Sequence, residues 1–366
     1  MTMISVQAES TALSFIMLLF TAIQGFNNEK DRVGTFIVLK GAVLKNHMIS
    51  KHNAHDSMEC AMYCASVSNC QSFNYKQGST CQLNSKNMMN ANESDIEADA
   101  DFSLFNRDPC IPNLCVSDKT TGQCVAVNSS DGYQCGCKRG YKGTQCEIEK
   151  LGWFIHKPAL SCKEILDKEG PGPDGEYYID PGSGVTLPVF CDMTHEGGGW
   201  LLTMNLTYQT GRNGFTIYPT YSGISKFRDG YMGISSPALG ELHSLINFTQ
   251  LRFHCQKKLT RTLHIITTQD DKGTAVIDYF TAKTANLPTS CGSFTRGADD
   301  NSMLAIGCGQ WGAGKWGHEN RKTEALRMYD YAMYIPLKYH WIANGGYCDD
   351  TSSSSSDGDF WFIYVR

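Results

Sequence analysis

Cysteine is the residue type whose spacing promises covalent chemistry in this chain. There are 16 in 366 residues, most of them in tight clusters. An even, clustered set points to disulfides closed in an oxidising compartment. Oxygen donors offer a second chemistry. Asp299-Asp300-Asn301 places two carboxylates and an amide on one loop, a donor set suited to calcium, which prefers roughly six to eight oxygens. Asp349, Asp350, Asp357 and Asp359 flank the serine run Ser352 to Ser356. Those serines, if phosphorylated, would form a cation- or mineral-binding patch; otherwise the segment is a solvated loop. Glu93, Asp95, Glu97, Asp99 and Asp101 stand two apart in a polar stretch read as a loop. No G-x-S-x-G elbow, H-E-x-x-H or P-loop occurs, and neither His195-Glu196 nor His318-Glu319 has the second His of a zinc helix. The chain is expected not to be an enzyme.

The elements that must position these residues follow from the rest of the sequence. An apolar share of 41% supports packed cores, and a formal charge of −5 without any long Lys/Arg run excludes nucleic acid as an expected partner. Ala12 to Ile23 is an apolar core of signal-peptide length, with a cleavage position after Gly25, so residues 1–25 are read as a signal peptide. No later stretch approaches the roughly 18 apolar residues of a spanning helix, which predicts a secreted chain with no membrane span after signal removal. Four sequons, at Asn92, Asn128, Asn205 and Asn247, are expected glycosylation sites.

Residues 26–109 read as a small α+β domain. Thr35 to Lys40 and Ala42 to Leu44 are predicted strands broken at Gly41. Ser57 to Ala65 is a predicted helix capped by Asp56 or Ser57, Gln71 to Tyr75 a strand, and Phe102 to Phe105 the last strand. Cys60 and Cys64, four apart, project from one helical face. A nested pairing, Cys60–Cys81 and Cys64–Cys70, fits best. The pattern E-C-A-x-x-C…C-x-S-F-x-Y…C-x-L from Glu59 to Leu83 resembles a PAN/apple domain. The resemblance implies binding of proteins or carbohydrates.

Six cysteines then fall between Cys110 and Cys146. So short a segment cannot bury enough apolar surface, and covalent staples must replace a core. Counting alone leaves their connectivity open. The pattern C-x4-C-x8-C-x10-C-x-C-x8-C, with Gly140-Tyr141 and Gly143 at its final turn, resembles an EGF-like β-hairpin module over residues 110–147. That resemblance implies Cys110–Cys124, Cys115–Cys135 and Cys137–Cys146, and a role as a rigid spacer.

Residues 148–366 form the largest predicted domain, an α+β arrangement of short strands and long loops. Strands are expected at Trp200 to Leu206, Leu251 to Cys255, Thr262 to Thr268 and Thr274 to Thr281, with helices at Cys162 to Lys168 and Pro237 to Leu245. Phe360 to Arg366, β-branched and aromatic, is expected to be a buried strand closing the sheet. Gly197-Gly198-Gly199 before Trp200 implies close backbone approach or unusual dihedrals. The stretch from Ser161 to Trp200 closely resembles the opening of fibrinogen-like C-terminal domains, including the head of the intelectin group. The resemblance implies a bridge between Cys162 and Cys191, and calcium held by Asp299 and Asp300 ahead of Cys308 and a Gly-Trp-rich turn. Ser302 and Met303 follow where that family has a further Asp. Trp316, His318, Glu319 and Tyr347 invite comparison with the intelectin sugar site, at a different spacing. Cys255, Cys291, Cys308 and Cys348 allow three pairings; Cys255–Cys291 with Cys308–Cys348 is the expected one.

The whole is therefore read as a multidomain, disulfide-rich protein of PAN/apple, EGF-like and fibrinogen-like modules; its ending, Cys348-Asp349-Asp350…Gly358-Asp359 and Phe360 to Arg366, resembles that of cnidarian extracellular proteins, including some of coral skeletal organic matrix. The expected function is a secreted, non-enzymatic extracellular matrix or adhesion protein binding proteins, glycans or mineral, with calcium the one cofactor implied. The alternative is a soluble calcium-dependent lectin of innate defence.

Overall fold

The computed structural model describes residues 32–366 apart from 34–35, 89, 109, 111–112, 128–132, 213, 259 and 321–323. The signal-peptide reading of residues 1–25 and the sequon at Asn128 lie outside the described residues. The chain divides into two compact units, Met1–Ile148 and Glu149–Arg366.

The first unit is built on strands β1 (Arg32–Val33), β2 (Phe36–Leu44), β3 (Met48–His52), β4 (Ser72–Lys76), β5 (Thr80–Asn84) and β6 (Ile96–Arg107). They form one antiparallel sheet in the order β1-β2-β6-β4-β5-β3. Helix α1 (Ser57–Ser66) packs on it. Its start is set chemically: Asp56 accepts from the Glu59 N–H at 2.8 Å, while the Glu59 carboxylate accepts from the His55 N–H at 2.8 Å. The Cys60 and Cys64 face of α1 is thereby turned inward, where Cys60 bridges to Cys81 on β5 and Cys64 to Cys70. Phe73 anchors the core between Phe36, edge-on at 4.9 Å, and Phe105, stacked at 4.6 Å.

Two expectations need correction here. Gly41 does not end a strand: at φ +75° it sits in an irregularity that keeps β2 continuous along β6. Most of the acidic stretch is not a loop either: Glu93 to Asp95 form a 3-10 turn, and Ile96 to Asp101 are the first half of β6. A two-residue repeat is the period of a strand.

From Cys110 to Cys146 the bridges run Cys110–Cys124, Cys115–Cys135 and Cys137–Cys146. A hairpin of β7 (Thr120–Ala126) and β8 (Tyr133–Cys137) carries them, followed by the short strands β9 (Tyr141–Lys142) and β10 (Ile148–Glu149). Cystine sulfur and Tyr133 make up most of this small core.

The second unit opens with α2 (Cys162–Glu169), which begins where Ser161 Oγ accepts from the Glu164 N–H at 3.1 Å. Its sheet comprises β11 (Gly175–Ile179), β12 (Leu187–Asp192), β13 (Trp200–Thr207), β16 (Leu251–Gln256), β17 (Thr262–Thr267), β18 (Phe294–Arg296) and β22 (Phe360–Val365), in the order β11-β12-β13-β22-β16-β17-β18. Strand β15 (Tyr231–Ile234) pairs with β13, and β14 (Thr216–Tyr218) with β15. A separate antiparallel meander is formed by β19 (Asp330–Ile335), β20 (Tyr339–Ile342) and β21 (Tyr347–Asp350). Helices α3 (Ser236–Ile246), α4 (Asp271–Phe280) and α5 (Met303–Ile306) complete the unit.

The expected strand at Thr274 to Thr281 is instead part of α4. Asp270 accepts from the N–H groups of Lys272 and Gly273, and Gly273, Val276, Ile277 and Phe280 share the buried side. Strand β22 is the expected buried strand, and it lies at the middle of the sheet between β13 and β16.

The three glycines before Trp200 all have left-handed backbones, at φ +80°, +67° and +73°. A Cβ on Gly198 would stand 2.2 Å from the Met193 carbonyl oxygen, and one on Gly199 would stand 3.2 Å from Lys163 Cα of α2. The turn thus lets α2 lie close against the sheet, where Cys162 is bridged to Cys191 on β12.

The other two bridges differ from expectation. Cys255 on β16 pairs with Cys348 on β21, and Cys291 with Cys308. The meander folds back so that β21 lies against the end of β16, with the two Cα atoms 6.0 Å apart. That leaves Cys291 and Cys308 to close a loop 17 residues long.

Candidate functional site

A patch of half-buried rings forms on the meander of the second unit. Gly317, at φ +77°, donates its N–H to the Ala332 carbonyl at 2.9 Å and so ties the following His318 to β19. The His318 ring lies 4.8 Å from Tyr334 and 5.4 Å from Tyr331, and those two tyrosines meet edge-on at 5.4 Å. A break in pairing along β19, with Tyr331 at φ +56°, is what brings both tyrosines to the same ring cluster. His340 on β20 extends the row at 5.4 Å from Tyr331, and Tyr347 on β21 at 5.8 Å from His340.

The electrostatics of the patch suit an uncharged ligand with hydroxyl groups. Burial, then the nearby Glu319 carboxylate, raises the Tyr334 phenol, which stays protonated and able to donate. Burial lowers His340 despite Asp350, keeping that imidazole neutral. His318 Nδ1 accepts from the Asn320 N–H at 3.1 Å, leaving Nε2 as the protonated edge. Of the four residues compared with a sugar site, His318 and Tyr347 belong to this row and Glu319 stands near it. Trp316 does not: it is fully buried among Phe253, Phe280 and Trp311, and its indole N–H donates to Ser293 Oγ at 2.8 Å.

The expected calcium ligands do not converge. The Asp300 carboxylate is buried and accepts from the His264 N–H at 2.9 Å, from Ser302 Oγ at 2.9 Å and from Arg296. Asn301 Oδ1 accepts from the Thr262 N–H at 2.8 Å. With its oxygens occupied and a guanidinium beside it, this set does not fit calcium. Asp299 turns the other way, toward the imidazoles of His264 and His254. Burial and then the adjacent His264 push His254 down to about 3, although Asp299 opposes this. Sequence reading missed both histidines, because nothing in the isolated runs LRFHC and TLHII reveals that they lie opposite each other.

The remaining acidic residues hold the fold together. Asp349 is buried, accepts from the first N–H groups of α5 at 3.0 and 2.7 Å, and pairs with Arg261. Asp350 takes Lys257 at 2.7 Å, while the same ammonium donates to the carbonyls of Gly346 and Ser352. Asp357 accepts from Thr210, and Asp359 from the N–H groups of Lys258 and Ser356. In the first unit Glu97 pairs with Lys45 and Asp101 with Lys76, and Asp95 is bonded to Asn46 and His47.

Among the sequons, Asn92 and Asn247 are exposed. Asn205 is not free for a glycan, since its Nδ2 on β13 donates to the Phe227 carbonyl at 2.8 Å.

Residues 34–110 match the family model of the PAN domain. The chain carries a PAN domain. The matched residues hold strands β2 to β6, helix α1 and the two nested bridges described above. The chain is also 48% identical to human Ficolin-3 over 42 residues, which are 12% of this chain and 14% of the relative. It is 45% identical to human Microfibril-associated glycoprotein 4 over 53 residues, covering 14% of this chain and 20% of the relative. The chain therefore matches only a minor part of these relatives' lengths. A fibrinogen-like domain in addition to the PAN domain is the architecture these likenesses support. The fibrinogen-like globe domain of human ANGPTL2 aligns with 57% of this chain and 99% of its own at 15% identity, with a TM-score of 0.31. Among the described residues no helix is long and apolar enough to cross a membrane.

Proposed function

We propose that this is a secreted, non-enzymatic extracellular adhesion protein whose second unit recognises glycans through the ring patch of His318, Tyr331, Tyr334 and His340. The observation that supports this reading is the row of half-buried rings beside Glu319. The C–H face of a pyranose packs on aromatic rings, and phenol, imidazole and carboxylate edges take up its hydroxyl groups. The PAN domain, together with an EGF-like module at residues 110–147 acting as spacer, would present this patch within an extracellular matrix. Asn92 and Asn247 are the sequons we propose as occupied. Mineral contact forms no part of the proposal, because Asp349, Asp350 and Asp359 are engaged inside the fold and the exposed Asp357 is bonded to Thr210.

The test is a glycan array probed with the full secreted chain, with and without chelator, followed by titration of the best sugar. Binding should survive chelation, since the patch contains no cluster of carboxylates. Tyr334→Ala and His318→Ala should each weaken it about tenfold or more, the scale of losing one buried ring contact and its hydrogen bond. Equal affinity in both variants would remove the patch from consideration. Loss of all binding in chelator would favour a calcium-dependent lectin.

A further inference from the structure

We propose that His254, His264 and Asp299 bind a divalent transition-metal ion of the zinc class. The site is built by register. Strands β16 and β17 run antiparallel with His254 directly opposite His264, and their rings stack at 4.1 Å, 11° from parallel. Both point to the sheet face opposite the main core, where Phe360 closes one side of His254 edge-on at 4.9 Å. His264 has 4% of its side chain exposed and His254 19%, so the imidazoles are withdrawn from water.

The loop after β18 brings the carboxylate to them. The Gly297 N–H donates to the His264 carbonyl at 2.8 Å, and a Cβ on Gly297 would stand 2.6 Å from His264 Nδ1. Only a residue without a side chain lets the loop pass that closely. Ala298 is held from the far side, its N–H donating to Glu196 Oε1 at 3.0 Å. Between these two anchored residues and Asp300, bonded to the His264 N–H, Asp299 has little freedom.

The donor arrangement matches a metal better than a hydrogen-bonded relay. His264 Nδ1 contacts Asp299 Oδ1, but His254 Nε2 is buried without a hydrogen-bond partner, 3.3 Å from Asp299 Oδ2. Two donors on one tetrahedral zinc, each with a bond of about 2.0–2.1 Å, stand about 3.3–3.4 Å apart. A buried imidazole nitrogen with no partner calls for an explanation, and a shared cation provides one. Two nitrogens and one carboxylate are a borderline-soft set that suits zinc, copper or nickel rather than calcium or magnesium. Asp299 has 54% of its side chain exposed, which leaves an open side for water as a further ligand. No cysteine is free to compete, since all are bridged.

The experiment is equilibrium dialysis of the full, chelator-treated chain against zinc, with metal counted by mass spectrometry. Calcium and magnesium serve as comparison ions. Wild type should retain one zinc per chain and exclude the other two ions at equal concentration. His254→Gln and Asp299→Asn reach the site from its more open side, so they are the variants of choice, with near-ultraviolet circular dichroism verifying the fold. Each should weaken zinc binding by more than the roughly 10–100-fold that a change behind the ligands produces. His156→Gln, outside both His/Asp groups of the second unit, should bind as wild type does. Absence of zinc uptake by wild type, or folded His254→Gln and Asp299→Asn proteins that bind zinc unchanged, would overturn the assignment.

Discussion

Arg252 Nη2 lies 2.5 Å from Asp192 Oδ2, although their strands, β16 and β12, are separated in the sheet by β22 and β13. The guanidinium crosses that gap over aromatic faces, 3.9 Å from the Tyr364 ring and 4.8 Å from Trp200. The two side chains are 1% and 6% exposed. A buried pair of this kind ties four strands together on the face away from the main core.

Removing one partner leaves the other charge buried and unpaired. Arg252→Met should therefore destabilise the second unit by about 3–5 kcal/mol in urea unfolding. The double variant with Asp192→Asn should recover a substantial part of that loss, because no uncompensated charge remains. Purely additive losses would contradict the pairing.

Acid should act on the same contact. Burial raises the Asp192 carboxyl, but attraction and hydrogen bonds from Arg252 and His195 outweigh it and hold it below the ordinary value of 3.8. An acid depressed in the folded state binds fewer protons there than when unfolded. Its stabilisation is complete above about pH 5 and disappears as pH falls through the depressed value. Urea midpoints measured downward from pH 5 should fall less steeply in Asp192→Asn than in wild type.

Gly198 and Gly211 separate two costs of a side chain. Both are left-handed, at φ +67° and +79°, but only Gly198 faces a backbone oxygen, 2.2 Å from the added carbon, whereas Gly211 faces open space. Gly211→Ala should cost about 1–2 kcal/mol, the dihedral penalty alone. Gly198→Ala should cost clearly more, because the Met193 carbonyl must move. Equal losses in thermal unfolding would argue against the close approach.

Peptide mapping under non-reducing conditions should recover Cys255 linked to Cys348 and Cys291 linked to Cys308. Replacing Cys255 and Cys348 together by Ala should cost about 2–5 kcal/mol, near the upper end because the bridge closes a long loop of 93 residues.

How much of this was legible depended on distance along the chain. The cap at Asp56 or Ser57, the helix from Cys162, the cysteine-bearing face of α1 and the need for unusual dihedrals or close approach at three glycines are local matters, and the residues themselves declare them. Residues Thr274 to Phe280 misled because β-branched and aromatic types favour strands, while the deciding signal was the single cap at Asp270. Asp299 and Asp300 are adjacent, so a shared ligand was the natural reading. The pairing of β17 with β18 and the anchored loop beyond it turn Asp300 onto the His264 backbone N–H and Arg296, and Asp299 onto the imidazole rings. The Cys255–Cys348 bridge and the His254–His264 stack depend on sheet order and register, which no short window contains.

The central position of β22 imposes a timetable on biosynthesis. Until residues 360–365 have left the ribosome, β13 and β16 each present a raw edge of unpaired amides and carbonyls. A nascent chain stalled before Phe360 is two half-sheets rather than a slightly shortened domain. Truncation before Phe360 should therefore be as damaging to folding as lesions deep in the core, read as loss of the folded second unit.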